Sequence, residues 1–514
     1  MADLQPITFP SPGFLGINKE ARQTLLAPAW ATEAQNAVVD EAGRLAARKG
    51  WVNQTSSAIS GAPLIESGVE YLQEDGTSML VVGANSKLWH SVNDGTSFVD
   101  VTGALSVTDD KWQLVNFNSS VFAAQPAHDL AKKATTGNFA ALAASSGTIP
   151  NDPVAILAAF GRLWAIDSTR QTLKYCALLD ETLWAEADGG GEIDLSKLWT
   201  QGTDQGVALG AFGSTLVVFG KRHIFLYTDG RGSDRGLDPA QMYVYDTIEG
   251  QGCAARDSVQ TVGEGDLMWL SQTGIRFISR TLQEQASQLK DASGNNQSHV
   301  VGMTLDASVD PTEIRSVYSP ENKFYLLIAP DADVTFCVDM RGALEDGTHR
   351  LTEWPGFIPG CAINRVNGDL LFGFSGVLGK YRGYNDNDSE TYRFVFRSGW
   401  LDQGPESNSI LKIPKRMKLL CYSPTASTVT MKWFFDFKRY MHYAQRTIEG
   451  DAADEYDIGE YGIAQYNSAL AQRSLTVPMS GSGQYILIGC ELEIDGNPFA
   501  VQSLTIYQVP GRLA

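Results

Sequence analysis

The sequence predicts an all-β protein: a six- or seven-bladed β-propeller followed by a second, C-terminal β-sandwich or barrel-like domain. Two observations carry this. First, seven segments repeat one design: a turn residue, then an apolar run of about five residues, then a second apolar run. Their turn positions are Gly76, Asn118, Gly161, Gly213, Gly265, Asn322 and Gly368, roughly 40–60 residues apart, and propeller blades recur at about 40–50 residues. Second, the composition changes after Gly383. The polar break NDNDSE is followed by six strand-like runs: YRFVFRSGW, KRMKLLCY, STVTMKWFFDF, RSLTVPMS, GQYILIGCELEI and QSLTIYQV. Six strands of that kind suit a sandwich or a partly open barrel.

Three regions follow: an N-terminal segment over 1–59, the propeller over 60–385 and the C-terminal domain over 386–514. Within the first, Ala27 to Gln35 suits a short helix with Pro28 near its start. Asn36 to Trp51 reads as a hairpin turning at Glu41–Gly43, although RLAARKG has weak β propensity. This hairpin is the candidate for closing the propeller. Lys132 to Thr148, small and polar, predicts a surface loop. Asp229 to Gly236 predicts a flexible one. Thr281 to Pro311 predicts a long loop with a short helix near TLQEQASQLK, and Glu449 to Tyr466 an acidic projection.

Composition narrows function. The net charge is −19, and no basic stripe exists of the kind a duplex-gripping protein needs. The six cysteines are far apart and lack zinc-site spacing. Each lies in or beside an apolar run, which suits buried free thiols and assembly in a reducing cytoplasm. No basic n-region precedes an apolar stretch at the start, and no apolar run reaches membrane-spanning length, so neither signal peptide nor membrane anchor is expected.

Chemistry-bearing patterns are weak. GQGCAA at Gly250–Ala255 resembles a dinucleotide fingerprint, but strand-like sequence follows where a helix is required. A tight crossing between blades fits better. GSTLVVFGK, from Gly213, resembles a P-loop only with the wrong spacing. SVNDGTSF, from Ser91, is close to an Asp box, a turn-stabilising device. The six histidines are dispersed. No catalytic, cofactor or metal constellation is expected.

The stretch from Phe14 to Trp51 resembles the opening of tail nozzle proteins of short-tailed bacteriophages, also called tail tubular or phage stabilisation proteins. The matching residues are Gly16, Ile17, Asn18, Pro28, Ala34, Asn36, Gly43, Leu45, Arg48 and Gly50, with Leu15 standing where a second glycine is usual. A second patch is similar to the same family through Gly250, Gly252, Cys253, Ala254, Ser258, Val259, Leu270, Ser271 and Gly274. The resemblance implies a virion structural protein, non-enzymatic and without cofactors. It would form a homo-hexamer at the distal tail, joining a head-to-tail adaptor protein and abutting tailspikes or tail fibres. Viral DNA would pass its channel without sequence-specific binding. It would be assembled in the bacterial host cytoplasm, with Gly16, Asn18, Asn36, Gly43, Arg48, Gly50, Gly252, Cys253 and Gly274 as a structural fingerprint. Ring interfaces would involve segment 1–35 and the loops 132–148, 281–311 and 449–466. A receptor-binding propeller adaptor and a glycan-cleaving propeller enzyme are the alternatives.

Overall fold

The computed structural model describes residues 5–73, 76–199, 203–230, 237–263, 265–283, 291–402, 410–448 and 472–513. The chain divides into two compact units. One comprises Asn53–Asp333 and Phe357–Lys380; the other comprises Met1–Val52, Val334–Gly356 and Tyr381–Ala514.

The first unit is a seven-bladed propeller. Its seven innermost strands are Ser67–Leu72, Gln113–Phe117, Ala155–Ala159, Gly206–Phe212, Gln260–Val262, Arg315–Ser319 and Cys361–Asn364. Each touches the next and the seventh touches the first, so the ring is closed. Every one runs antiparallel into a second strand. The turns between them fall at the positions read from the sequence. Gly76, Asn118, Gly161, Gly213, Gly265 and Gly368 all have positive φ, and at the remaining turn Lys323, beside Asn322, takes that role. Glycine and asparagine tolerate this backbone region, which tight hairpins require.

The second strands are almost wholly buried, as at Ser120–Gln125 and Phe324–Ala329. They lie between neighbouring blades, so both faces must be apolar, which explains continuous apolar runs in place of alternation. The period of two still decides which core each side chain enters. Leu216 and Val218 join Trp164 and Leu173 of the preceding blade, whereas Val217 and Phe219 join Leu267 and Trp269 of the following one.

Closure departs from expectation. The 36–51 hairpin belongs to the other unit, and the chain just beyond it closes the ring. The Gln54 N–H donates to the Leu378 carbonyl at 2.8 Å. Leu378 N–H donates to Thr55 Oγ1 at 3.0 Å, and that hydroxyl donates to the Gly95 carbonyl at 2.8 Å.

The second unit is a β-sandwich. One sheet orders Gln472–Pro478, Ile410–Tyr422, Ala500–Leu513, Leu45–Ala47 and Ala37–Val39, with Gln5–Pro10 also paired to Ala500–Leu513. The other contains Val334–Asp339, Leu351–Pro355, Trp30–Gln35, Tyr392–Ser398, Ile486–Ile494, Ser427–Phe435 and His442–Ile448 in that order. Side chains of both sheets enter one core, including Phe9, Leu419 and Leu504 from the first and Phe396, Ile488 and Cys490 from the second. The expected boundaries at 59/60 and 385/386 therefore differ from the observed division. The N-terminal strands find their hydrogen-bond partners in the C-terminal sheets, a pairing that local sequence does not encode.

Three further expectations change. Residues 27–35 hold a strand, Trp30–Gln35, in place of a helix; Ala31 and Ala34 are buried, and pairing with Tyr392–Ser398 overrides helix propensity. The 132–148 segment is not simply a loop: Lys132 and Lys133 lie on the strand His128–Ala134, which pairs with Ala140–Ala141. Lys133, two residues from buried Ala131, points inward and is fully buried. In 281–311 there are two helices, Ile278–Gln283 and Gln297–Thr304, while 284–290 lie outside the described residues. So do the 449–466 excursion and most of 229–236.

Candidate functional site

Three fingerprint residues converge inside the sandwich. Asn36, on a positive-φ turn, places its amide between two partners. Its Nδ2 donates to the Arg393 carbonyl at 2.8 Å, and its Oδ1 accepts from Arg48 Nε at 2.9 Å. Arg48 is only 1% exposed. Its Nη1 and Nη2 donate to the two carboxylate oxygens of Asp386 at 2.8 and 2.6 Å. The guanidinium lies 4.1 Å from the Tyr392 ring centre and 5.7 Å from that of Trp354. Tyr392 OH donates to the Arg48 carbonyl. The adjoining Gly50 donates its N–H to the Gly383 carbonyl at 3.0 Å. A Cβ on Gly50 would collide with the Asn385 carbonyl. A planar, always-charged fork suits this position, because it satisfies a carboxylate and an amide together while stacking on aromatic rings.

The other fingerprint residues stand apart from this node. Gly16 has φ +104, and a Cβ there would sit 3.0 Å from Leu351 N. Asn18 Oδ1 accepts from Ala21 N at 2.9 Å and closes a turn. Gly43 lies at the hairpin tip, where Asp40 holds Arg44 through its backbone N and Nε at 2.8 and 2.7 Å.

In the propeller, Gly252 packs on the Lys221 carbonyl with no space for a Cβ. The next residue, Cys253, donates its N–H to Gly220 O at 2.8 Å. Burial pushes the Cys253 thiol up to about 12. A single 3-10 turn, Arg256–Ser258, and then a strand, Gln260–Val262, follow in place of the α-helix a dinucleotide site needs, so GQGCAA is the tight crossing between blades. Gly274 lies on a separate hairpin, where Ser293 Oγ accepts from Ile275 N at 3.0 Å. The Asp-box-like turn also stabilises locally: Asn93 Oδ1 accepts from Ser91 Oγ at 2.7 Å and from Ser97 N at 3.1 Å. All six cysteines are buried and unpaired.

Sequence reasoning missed Asp386, which lies in the NDNDSE run taken only as a boundary. It also missed a buried clamp in the propeller. Asp204 accepts from His223 Nδ1 at 2.9 Å and from the backbone N–H groups of Arg222 and His223 at 2.8 and 3.1 Å. Burial pushes the Asp204 carboxyl up, but His223 and the backbone donors outweigh it and hold the group below the usual range.

At one mouth of the strand ring lies a cavity of about 420 Å³. Blades two to six contribute Lys111, Arg170, Lys221, Arg256 and Thr312 to its wall. Arg256 is bidentate with Asp257, 2.8 Å on each arm. Lys111 pairs with Glu313. Among the described residues, no group of three or more metal-ligating side chains occurs, and no helix is long and apolar enough to cross a membrane.

The closed ring and the two-sheet unit define a β-propeller protein with an added β-sandwich. No protein-family model and no curated protein matches the chain. Solved propellers resemble it at low identity. The structure titled "Streptogramin B lyase structure" is 11% identical over 63% of this chain and 95% of that one, at a TM-score of 0.37. The WD40 propeller domain of Doa1 is 10% identical over 65% and 96%, at 0.36. "YCF48 bound to D1 peptide" is 11% identical over 63% and 94%, also at 0.36.

Proposed function

We propose that this protein is a virion structural subunit, not an enzyme: one of six copies in the tail nozzle ring of a short-tailed phage, between the head-to-tail adaptor and the tailspikes or fibres. The observation that supports this reading is the Arg48 node. The residues that carry the family resemblance in the N-terminal hairpin, Asn36, Arg48 and Gly50, meet at one place and act as architecture. They tie the hairpin to Asp386 and Tyr392. Such a tie gives a stiff building block, which a DNA conduit needs. Six buried thiols suit assembly in a reducing compartment.

A ring uses two different faces of each subunit. Segment 5–35 contributes three strands to the sandwich sheets, so its contribution to a ring contact is through exposed side chains such as Leu25. Exposed aromatics add to it: Tyr440 and Tyr443 on the sandwich, and Tyr243 and Tyr245 on the propeller. Aromatic residues are enriched at interface cores. Mass photometry of the chain alone and with a portal–adaptor assembly tests the reading. Addition of six copies is the expected result. A monomer that never joins the assembly would overturn it.

A further inference from the structure

We infer that the mouth of the propeller ring is a binding site for a small molecule carrying two or more oxyanion groups, phosphate or carboxylate. Three observations meet there. The first is charge. The whole chain carries −19, yet Lys111, Arg170, Lys221 and Arg256 gather around one cavity. Asp257 and Glu313 neutralise Arg256 and Lys111. Asp109, also in the wall, accepts from Asp110 N at 2.7 Å, and its charge acts on Arg256 as well. Arg170 and Lys221 have no carboxylate partner among the described residues.

The second observation is the state of Arg170. Its only side-chain acceptor among the described residues is the Gly206 carbonyl, at 3.2 Å. Burial, and then repulsion from Arg256, pull its pKa down. An anion in the cavity relieves both effects. The backbone of Arg170 is fixed: its N–H donates to Asp167 O at 3.0 Å and its carbonyl accepts from Gly206 N at 2.9 Å. The stem of the side chain therefore starts from a fixed point beside the cavity, and its planar fork matches an oxyanion.

The third is Gln125, on the same wall and only 2% exposed. Neither its Nε2 nor its Oε1 makes a hydrogen bond among the described residues. A buried unpaired amide is costly, and because both of its polar atoms are shielded from solvent, a ligand oxygen accepts from Nε2 once the side chain turns toward the cavity. A volume of about 420 Å³ lies within the ~300–1,000 Å³ of small-molecule sites. It suits a compact metabolite better than a duplex.

Calorimetric titration of the full chain tests this, with inorganic pyrophosphate and citrate as separate probes at fixed ionic strength, because screening alone alters weak charge effects. Saturable binding of either probe is expected, and the preferred probe tells whether phosphate or carboxylate is the natural group. Arg170→Gln should weaken binding by about tenfold or more, the equivalent of one charged hydrogen bond. Gln125→Leu should weaken binding while leaving the free protein as stable as before or more so, a combination that misfolding cannot produce. Lys197→Gln, the same charge change on an exposed surface lysine, should leave binding intact. Absence of saturable binding by both probes up to about 10 mM, a free energy of under ~3 kcal/mol, overturns the inference. So does binding that Arg170→Gln and Gln125→Leu both leave unchanged. Neither result bears on whether six copies join the tail.

Discussion

Replacing Asp386 with alanine strands the Arg48 guanidinium in a site where it is 1% exposed. Two charge-assisted hydrogen bonds disappear, at 2.8 and 2.6 Å. Removing one partner of a buried pair typically costs about 3–5 kcal/mol, most of it the penalty of the uncompensated charge. Two features lower that figure here. The Asp386 side chain is 19% exposed, so water reaches the space it vacates. The Tyr392 ring, 4.1 Å away, continues to stabilise the cation by about 1–2 kcal/mol. The expected loss is therefore about 2–4 kcal/mol. Urea denaturation followed by near-UV circular dichroism measures it, as a fall in midpoint of the transition that reports the sandwich. The double variant Arg48→Met, Asp386→Leu removes both charges and replaces them with apolar volume. It should lose less than the two single variants added together, with a coupling of about 2 kcal/mol. A cost under about 0.5 kcal/mol for Asp386→Ala, or strict additivity in the cycle, would refute the claim that this pair ties the hairpin to the C-terminal sheets.

Other consequences are as open to measurement. Lys133 is fully buried, among the described residues it donates only to the Ala134 carbonyl at 3.1 Å, and burial lowers its pKa. In the window between that depressed value and the ordinary lysine range, the unfolded state binds more protons, so this group's contribution to stability rises with pH there. Lys133→Met should raise the melting temperature at pH 7 and remove that part of the alkaline rise; a lower melting temperature contradicts the assignment. Two glycines separate steric from conformational cost. Gly252→Ala, with no space for a Cβ but an ordinary φ, should cost several kcal/mol, as overpacking does. Gly213→Ala, with open space but φ +56, should cost about 1–2 kcal/mol; equal losses in urea titrations would count against the crossing. Finally, a thiol-reactive chromogen should label none of the six buried cysteines in the native protein and all six in denaturant, since the thiolate is the reactive form. Rapid native labelling would contradict their burial.

What the sequence determined by itself is local. Strand periodicity and turn chemistry act over a few residues, so the seven hairpins were legible from Gly76 to Gly368, and six of the seven marked residues indeed carry positive φ. Six of the seven C-terminal strands were legible for the same reason, whereas His442–Ile448, a largely exposed strand with few apolar residues, was not. Cys253 was readable as a core thiol because apolar residues surround it. The tertiary structure decided everything that depends on distant partners. Trp30–Gln35 is a strand because Tyr392–Ser398 offers it hydrogen bonds, and no nearby residue announces that. Lys133 reads as a solvated charge until the blade packing shows which way it faces. The Arg48–Asp386 pair and the Arg170–Gln125 wall join residues from different strands and blades. Sequence spacing has no access to such meetings, because they are fixed by the closure of sheets rather than by the chain's local conformational preferences.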